Sequence, residues 1–248
     1  VAAAAVVAAI ACSRTPPSGA PPSLEALDAG GATSGPSLAV ARARSEIHPT
    51  GHFDVDAWGG AVNTHTLLDS AGKGAVPVSE ARFLWGEDKL YIFFYAGDLD
   101  LQVRSTKHDG PVWKDDSVTF AFFPPNGADG GAATKFVLAV TPTGVISDGT
   151  CPVDAVDLGD ARCDLRWESG ARVGTDYDGT LNKIGDFDEE WAVEVALPLR
   201  SIGIDPTRAP PLRIAATVRR CEMAHDGPRA CGMWGDSKRP GELVLEGS

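Results

Sequence analysis

Six short apolar runs constrain this chain more than any other feature: Ala81–Trp85, Leu90–Ala96, Ser117–Phe123, Lys135–Thr141, Trp191–Leu197 and Leu212–Val218. Each has a period-two character, each is rich in β-branched and aromatic residues, and Gly, Pro, Asp and Asn separate them. Such runs make half-buried strands, because alternate side chains fall on opposite faces of an extended backbone. Gly86-Glu87-Asp88 suits a hairpin between the first two runs, and Pro124-Pro125-Asn126-Gly127 stops the third. No long helical repeat is present, so the expected architecture is all-β, an antiparallel β-sandwich of jelly-roll type. With 248 residues, 43% of them hydrophobic, the chain can bury one sizeable core.

The formal net charge of -12 sets up a field that repels polyanions. Nucleic acid and bare anionic headgroups are therefore poor partners, and neutral ligands or cations remain. The first eleven residues, VAAAAVVAAIA, are too short for a spanning helix, which needs about 20 apolar residues. They read as the core of a secretion signal over residues 1–12. Ala9-Ile10-Ala11-Cys12 is similar to a bacterial lipobox, whose cysteine takes a diacylglycerol. Residues 13–37 are Pro, Gly, Ser, Ala and Thr with few large apolar side chains, which suits a flexible tether. This organisation predicts an exported bacterial lipoprotein at the cell surface, outer membrane or periplasm, its membrane contact made through the lipid alone. The globular domain is expected over 38–248.

With Cys12 assigned to lipid, Cys151, Cys163, Cys221 and Cys231 remain, an even set of the kind that forms disulfides in exported chains. Of the three possible pairings, Cys151 with Cys163 and Cys221 with Cys231 are favoured, since each closes a short loop rich in Gly, Pro and Asp. A zinc site on these thiols is disfavoured, because no CxxC pair is present.

Three stretches carry a resemblance to a known family: ARFLWGEDKLYIFFYAGDLD with VWKDDSVTFAFF, WAVEVALPLRSIG, and WGDSKRPGELVLE. The chain resembles the family 9 carbohydrate-binding modules, a DOMON-like β-sandwich. Asp54-Val55-Asp56-Ala57-Trp58 is similar to the family's opening Asp-x-x-x-Trp element, and Glu194 resembles the glutamate of its strand motif, read as structural or near a metal. The resemblance implies that Trp113 and Trp234 hold a sugar between two aromatic planes, which cover pyranose C–H faces while the hydroxyls stay at the rim. Trp58, Trp85, Trp167 and Trp191 are expected in packing roles. Thr119 stands where family members carry a sugar-binding glutamate, and Val137 near their arginine. Binding should therefore be weaker and less selective, or aimed at a different glycan. The family's structural Ca2+ implies oxygen ligands, for which Asp98 and Asp100, then Asp176 and Asp178 with Asp186 and Asp188, are the candidates. Glycan-degrading enzymes are partners that the resemblance also implies.

The function expected is thus non-catalytic binding of an oligosaccharide or polysaccharide. Asp115-Asp116 and Glu189-Glu190 do not make a glycosidase pair on their own, since neighbours on a strand point to opposite faces. GxSxG, HExxH and glycine-rich phosphate motifs are absent from the sequence. The alternatives are a degenerate scaffold that binds a protein partner, and haem b electron transfer of the kind seen in related sandwiches, for which Met223, Met233 and five histidines are available as axial ligands.

Overall fold

The computed structural model describes residues 35–124 and 134–247, apart from Val76, Ile184, Asp186, His225 and Asp226. The expected signal segment with Cys12, most of the tether, and Asp186 lie outside the described residues.

Twelve strands form two sheets among the described residues. They are β1 (Ser37–Val40), β2 (Val62–Asn63), β3 (Ser79–Trp85), β4 (Lys89–Gly97), β5 (Ser117–Phe123), β6 (Thr134–Val140), β7 (Ile146–Pro152), β8 (Arg172–Asp178), β9 (Glu190–Pro198), β10 (Leu212–Ala224), β11 (Gly227–Trp234) and β12 (Gly241–Leu245). The larger sheet runs β1-β12-β10-β5-β6-β7, with β11 also paired to β10; the smaller runs β2-β3-β4-β9-β8. Every pairing is antiparallel except β1 with β12. The expected β-sandwich is what the chain forms. All six apolar runs are strands, and the Gly86–Asp88 turn joins β3 to β4, with Trp85 opposite Leu90.

β10 organises the larger sheet. One of its edges pairs with β5; the other takes β12 over its first half and β11 over its second. Leu212, Ile214, Ala216 and Val218 alternate into the core, where Phe120 of β5 meets Phe94 of β4 edge-on across the sandwich at 6.4 Å. Trp85 and Trp191 are fully buried in this core, and Trp167 packs on Phe136 at 5.0 Å.

Each sheet also carries a cluster on its outer face. On the smaller sheet, the 41–61 segment covers Leu84, Tyr91 and Phe93. A short helix, α1 (Val55–Trp58), is capped by Asp54, whose Oδ1 accepts from the Asp56 and Ala57 amides, and it delivers Trp58 into the cluster. Glu194 is 2% exposed and ties this segment down: Oε1 accepts from Trp58 Nε1 at 2.7 Å, and Oε2 from the Thr50 and Gly51 amides at 2.6 and 3.1 Å. Its role is structural, and the Asp-x-x-x-Trp spacing is explained by a cap and a buried indole one turn apart.

Candidate functional site

The outer face of the larger sheet is the side that the odd-numbered residues of β10 reach. While Val218 and Arg220 turn inward, Thr217 and Arg219 line the outer hollows, and Arg219 sits in register with Thr119 of β5. Two segments wall this face. One is the turn Val112–Lys114 ahead of β5; the other is the loop after β7, closed by Cys151–Cys163. Val112, Leu158 and Ala155 from these segments bury Ala121, Val137 and Ala139.

Trp113 is half-buried between the two walls. Its indole lies so close to the disulfide loop that a Cβ at Gly159 would fall 2.5 Å from Nε1, so only glycine admits it there. Beside the ring is a cavity of about 210 Å³ lined by Trp113, Lys114, Thr119, Asp157, Arg219 and Met223. A second hollow of about 120 Å³ adjoins it, sharing Thr119 and Arg219 and reaching Lys135 and Met233. Val137 on β6 stands near the position where the resemblance implies an arginine, and the cation of this cleft comes instead from β10 on the other side of β5. The signal that could have found it is the alternation of LRIAATVRR, in which Arg219 is out of phase with the apolar stripe.

Burial lowers the pKa of the Arg219 guanidinium. Its ion pair with Asp157 is long, at 3.9 Å. Lys135 is 6% exposed, its pKa also lowered by burial, and its Nζ donates to the Ala155 carbonyl. The cavity beside Trp113 therefore offers that indole, a hydroxyl at Thr119 and a half-buried cation whose described contacts are the long pair with Asp157 and a weak donation to Cys231 Sγ at 3.6 Å, and Phe123 lines the adjoining hollow.

Trp234 does not complete that cleft, which corrects the expected pair of opposed planes. It is 6% exposed and belongs to the central core, with its ring 6.2 Å from Phe83 and so close over Gly241 that a Cβ there would meet it at 2.2 Å. β11 places the neighbouring Met233, not Trp234, in the outer hollow. Trp113 and Thr119 are brought together; Trp113 and Trp234 do not face each other across this cleft.

No family model and no curated protein matches this sequence. Solved structures do match. A candidate carbohydrate-binding protein from Bacteroides uniformis is 14% identical, with a TM-score of 0.62 over 86% of this chain and 100% of its own. A family 9 carbohydrate-binding module from Caldicellulosiruptor kristjanssonii, solved with cellotriose, is 14% identical, with a TM-score of 0.55 over 86% of this chain and 94% of its own. Its glucose complex gives 13% identity and a TM-score of 0.57 over 86% and 96%. The fold is that of the family 9 carbohydrate-binding modules. At these identities the likeness speaks for the fold and not for the site.

Within this family 9 fold, the aspartates named for Ca2+ do not gather among the described residues, and Asp188 gives its two oxygens to the Leu101 and Thr180 amides at 2.7 and 2.6 Å. Asp176 is exposed and pairs with His52 at 3.0 Å, Asp178 is exposed on β8, and Asp100 accepts from Gln102 Nε2 at 2.7 Å. Asp98 is buried, and its carboxylate lies with those of Asp116 and Glu222. That cluster already holds a cation: Arg220, 3% exposed, pairs with both Asp98 and Glu222. Asp116 spends its two oxygens on the Gln102 and Met223 amides, while Asp98 also accepts from Trp191 Nε1. With a guanidinium in place and oxygens committed to amides, the residues do not fit a calcium cage of six to eight oxygens. Burial and the neighbouring Asp98 charge raise the Asp116 pKa to about 8, and burial raises that of Glu222. Asp115 braces the same region by accepting from the Ser105 amide at 2.7 Å.

A larger cleft, about 470 Å³, opens on the outer face of the smaller sheet around Phe53, Arg82 and Tyr95. Its polar groups satisfy one another: Arg82 with Glu80 at 2.6 Å, Tyr95 with Glu190 at 2.6 Å, His52 with Asp176 at 3.0 Å. A sugar bound there would have to break existing pairs, whereas at Trp113 it would gain the underused Arg219.

Proposed function

We propose that this protein binds carbohydrate without turning it over, holding a pyranose face against Trp113 on the outer face of the larger sheet. The observation that carries the reading is the half-buried Trp113 beside Thr119 and Arg219, in a cleft whose cation has among the described residues a long ion pair with Asp157 and a weak donation to the Cys231 Sγ at 3.6 Å. The indole would cover the C–H face, and Arg219 and Thr119 would take ring hydroxyls. With Trp113 as the aromatic plane of its cavity and no second indole opposite it, affinity would rest more on Arg219 than it does in a two-plane site. The neighbours solved with cellotriose and glucose support a neutral glucan as the first ligand class to try. Attachment is part of the same proposal: lipid on Cys12 would hold the domain at the envelope, beside glycan-degrading enzymes. Its support is the exported character implied by two disulfides, Cys151–Cys163 and Cys221–Cys231.

The test is a glycan-array screen of the protein beside Trp113→Ala. Binding by the parent that is lost in the variant supports the reading. An empty array, or a hit retained by the variant, ends it.

A further inference from the structure

Away from the Trp113 cleft, three segments converge on His108: its own loop, the start of β7, and the stretch ahead of β8. His108 Nε2 lies 3.1 Å from Glu168 Oε2, 3.5 Å from Asp148 Oδ1 and 3.6 Å from Asp109 Oδ1. The His108, Asp109 and Glu168 donor atoms all lie within 4.8 Å of one another. Surface acids beside a histidine are common, and taken alone they mean little. The deciding feature is Asp148, which is 1% exposed, with an Oδ1 that accepts no hydrogen bond and points at the imidazole. A buried carboxylate oxygen without a donor is costly, so something at this spot should supply positive charge.

We infer that His108, Asp109, Asp148 and Glu168 form a binding site for a late first-row divalent cation, with Zn2+ the ion of choice. One imidazole nitrogen and three carboxylate oxygens make a donor set suited to zinc. Tetrahedral ligands about 2.0–2.2 Å from an ion stand roughly 3.3–3.6 Å apart; His108 keeps 3.1–3.6 Å from the three oxygens, and since Asp148 lies outside the group of donor atoms within 4.8 Å of one another, its carboxylate has to move inward to complete the shell. The outer shell is in place: Asp148 Oδ2 accepts from the Ser169 amide at 2.7 Å, and the Asp148 amide donates to Asp109 Oδ1 at 3.3 Å. His108 and Glu168 are solvent-exposed, which leaves the ion a way in. The buried Asp98 cluster differs on this point, because Arg220 already supplies its charge. A filled site would pin the loop that runs through Pro111 into Trp113, yet it stands whether or not a sugar binds there.

The full chain, stripped with chelator, is titrated with Zn2+ and separately with Ca2+ by calorimetry, and its melting temperature is followed. His108→Ala and Asp148→Asn serve as variants; the first removes an exposed ring and leaves the fold intact. The expected result is about one zinc per chain and, at a hundredfold excess over Kd, a Tm rise of roughly 5–10 °C. Affinity should fall at least tenfold in both variants. No zinc binding by the parent, zinc binding unchanged in the two variants, or calcium bound more tightly than zinc would each overturn the assignment.

Discussion

The two outer faces of this sandwich are built alike and finished differently. Each sheet carries a small apolar cluster roofed by a loop segment, and each has a cleft beside it. On the smaller sheet the roof is clamped by Glu194 and the polar groups of the cleft are paired off. The roof of the larger sheet is held by a disulfide, and the cleft keeps a half-exposed indole and a cation with little to hold. A face whose hydrogen bonds are internally satisfied contributes stability; one with spare donors and an open aromatic plane can contribute binding. Fold likeness alone would not have separated the two.

The largest effect should come from the clamp. Glu194→Ala strands the Trp58 Nε1–H and two backbone amides and should cost about 3–5 kcal/mol. Thermal denaturation would show this as a Tm drop on the order of 10 °C, with sugar affinity unaltered while the protein is folded. A fall in affinity instead would mean that the smaller sheet takes part in binding.

Next is the disulfide roof. Replacing Cys151 and Cys163 together by Ala releases a loop of sequence separation 12, worth about 2–3 kcal/mol of stability. Because Trp113 leans on Gly159 in that loop, sugar affinity should fall as well, which distinguishes this lesion from the Glu194 one.

Arg219→Met is expected to leave stability almost unchanged and to weaken sugar binding by about 1.5–3 kcal/mol, a factor of ten or more in a calorimetric titration. If affinity is untouched, the cation is a bystander and the comparison between the faces loses its electrostatic half.

The last effect lies between the faces, in the buried acids. Asp116 and Glu222 have folded pKa values above their unfolded ones, so the native state holds more protons between about pH 4 and about pH 8. The stability they contribute is present below that window and is lost as pH rises through it. Tm at pH 5 should exceed Tm at pH 8, and Asp116→Asn should flatten the slope; a Tm that climbs across the window would contradict this account.

How much of this was legible in the sequence follows from where burial writes its signal. The six central strands show themselves because both of their faces are apolar or alternate cleanly. β7 (ISDGTCP) and β8 (RVGTDYD) are edge strands, polar enough to discourage pairing with other chains, and they read as loops. β11 is interrupted by Gly and Pro and was hidden for the same kind of reason. Both disulfides were readable from the short loops they close. The place of Trp234 was not legible from MWGDSKRPG, whose Gly, Pro, Asp and Ser are turn residues, while in the fold the tryptophan is the last residue of β11 and its ring folds back over Gly241 into the core. Spatial clusters could not be read at all. His108, Asp148 and Glu168 are separated by 20 residues or more in the chain, and only the packing of three segments brings them together.

The central claim is that a sugar sits on Trp113, and the most direct measurement is a crystal structure of the chain soaked with the best ligand from the glycan array. The account predicts a pyranose ring stacked on the Trp113 indole with a hydroxyl within hydrogen-bonding distance of Arg219. A sugar found in the Tyr95 cleft, or beside Trp234 with Trp113 uncovered, would contradict it.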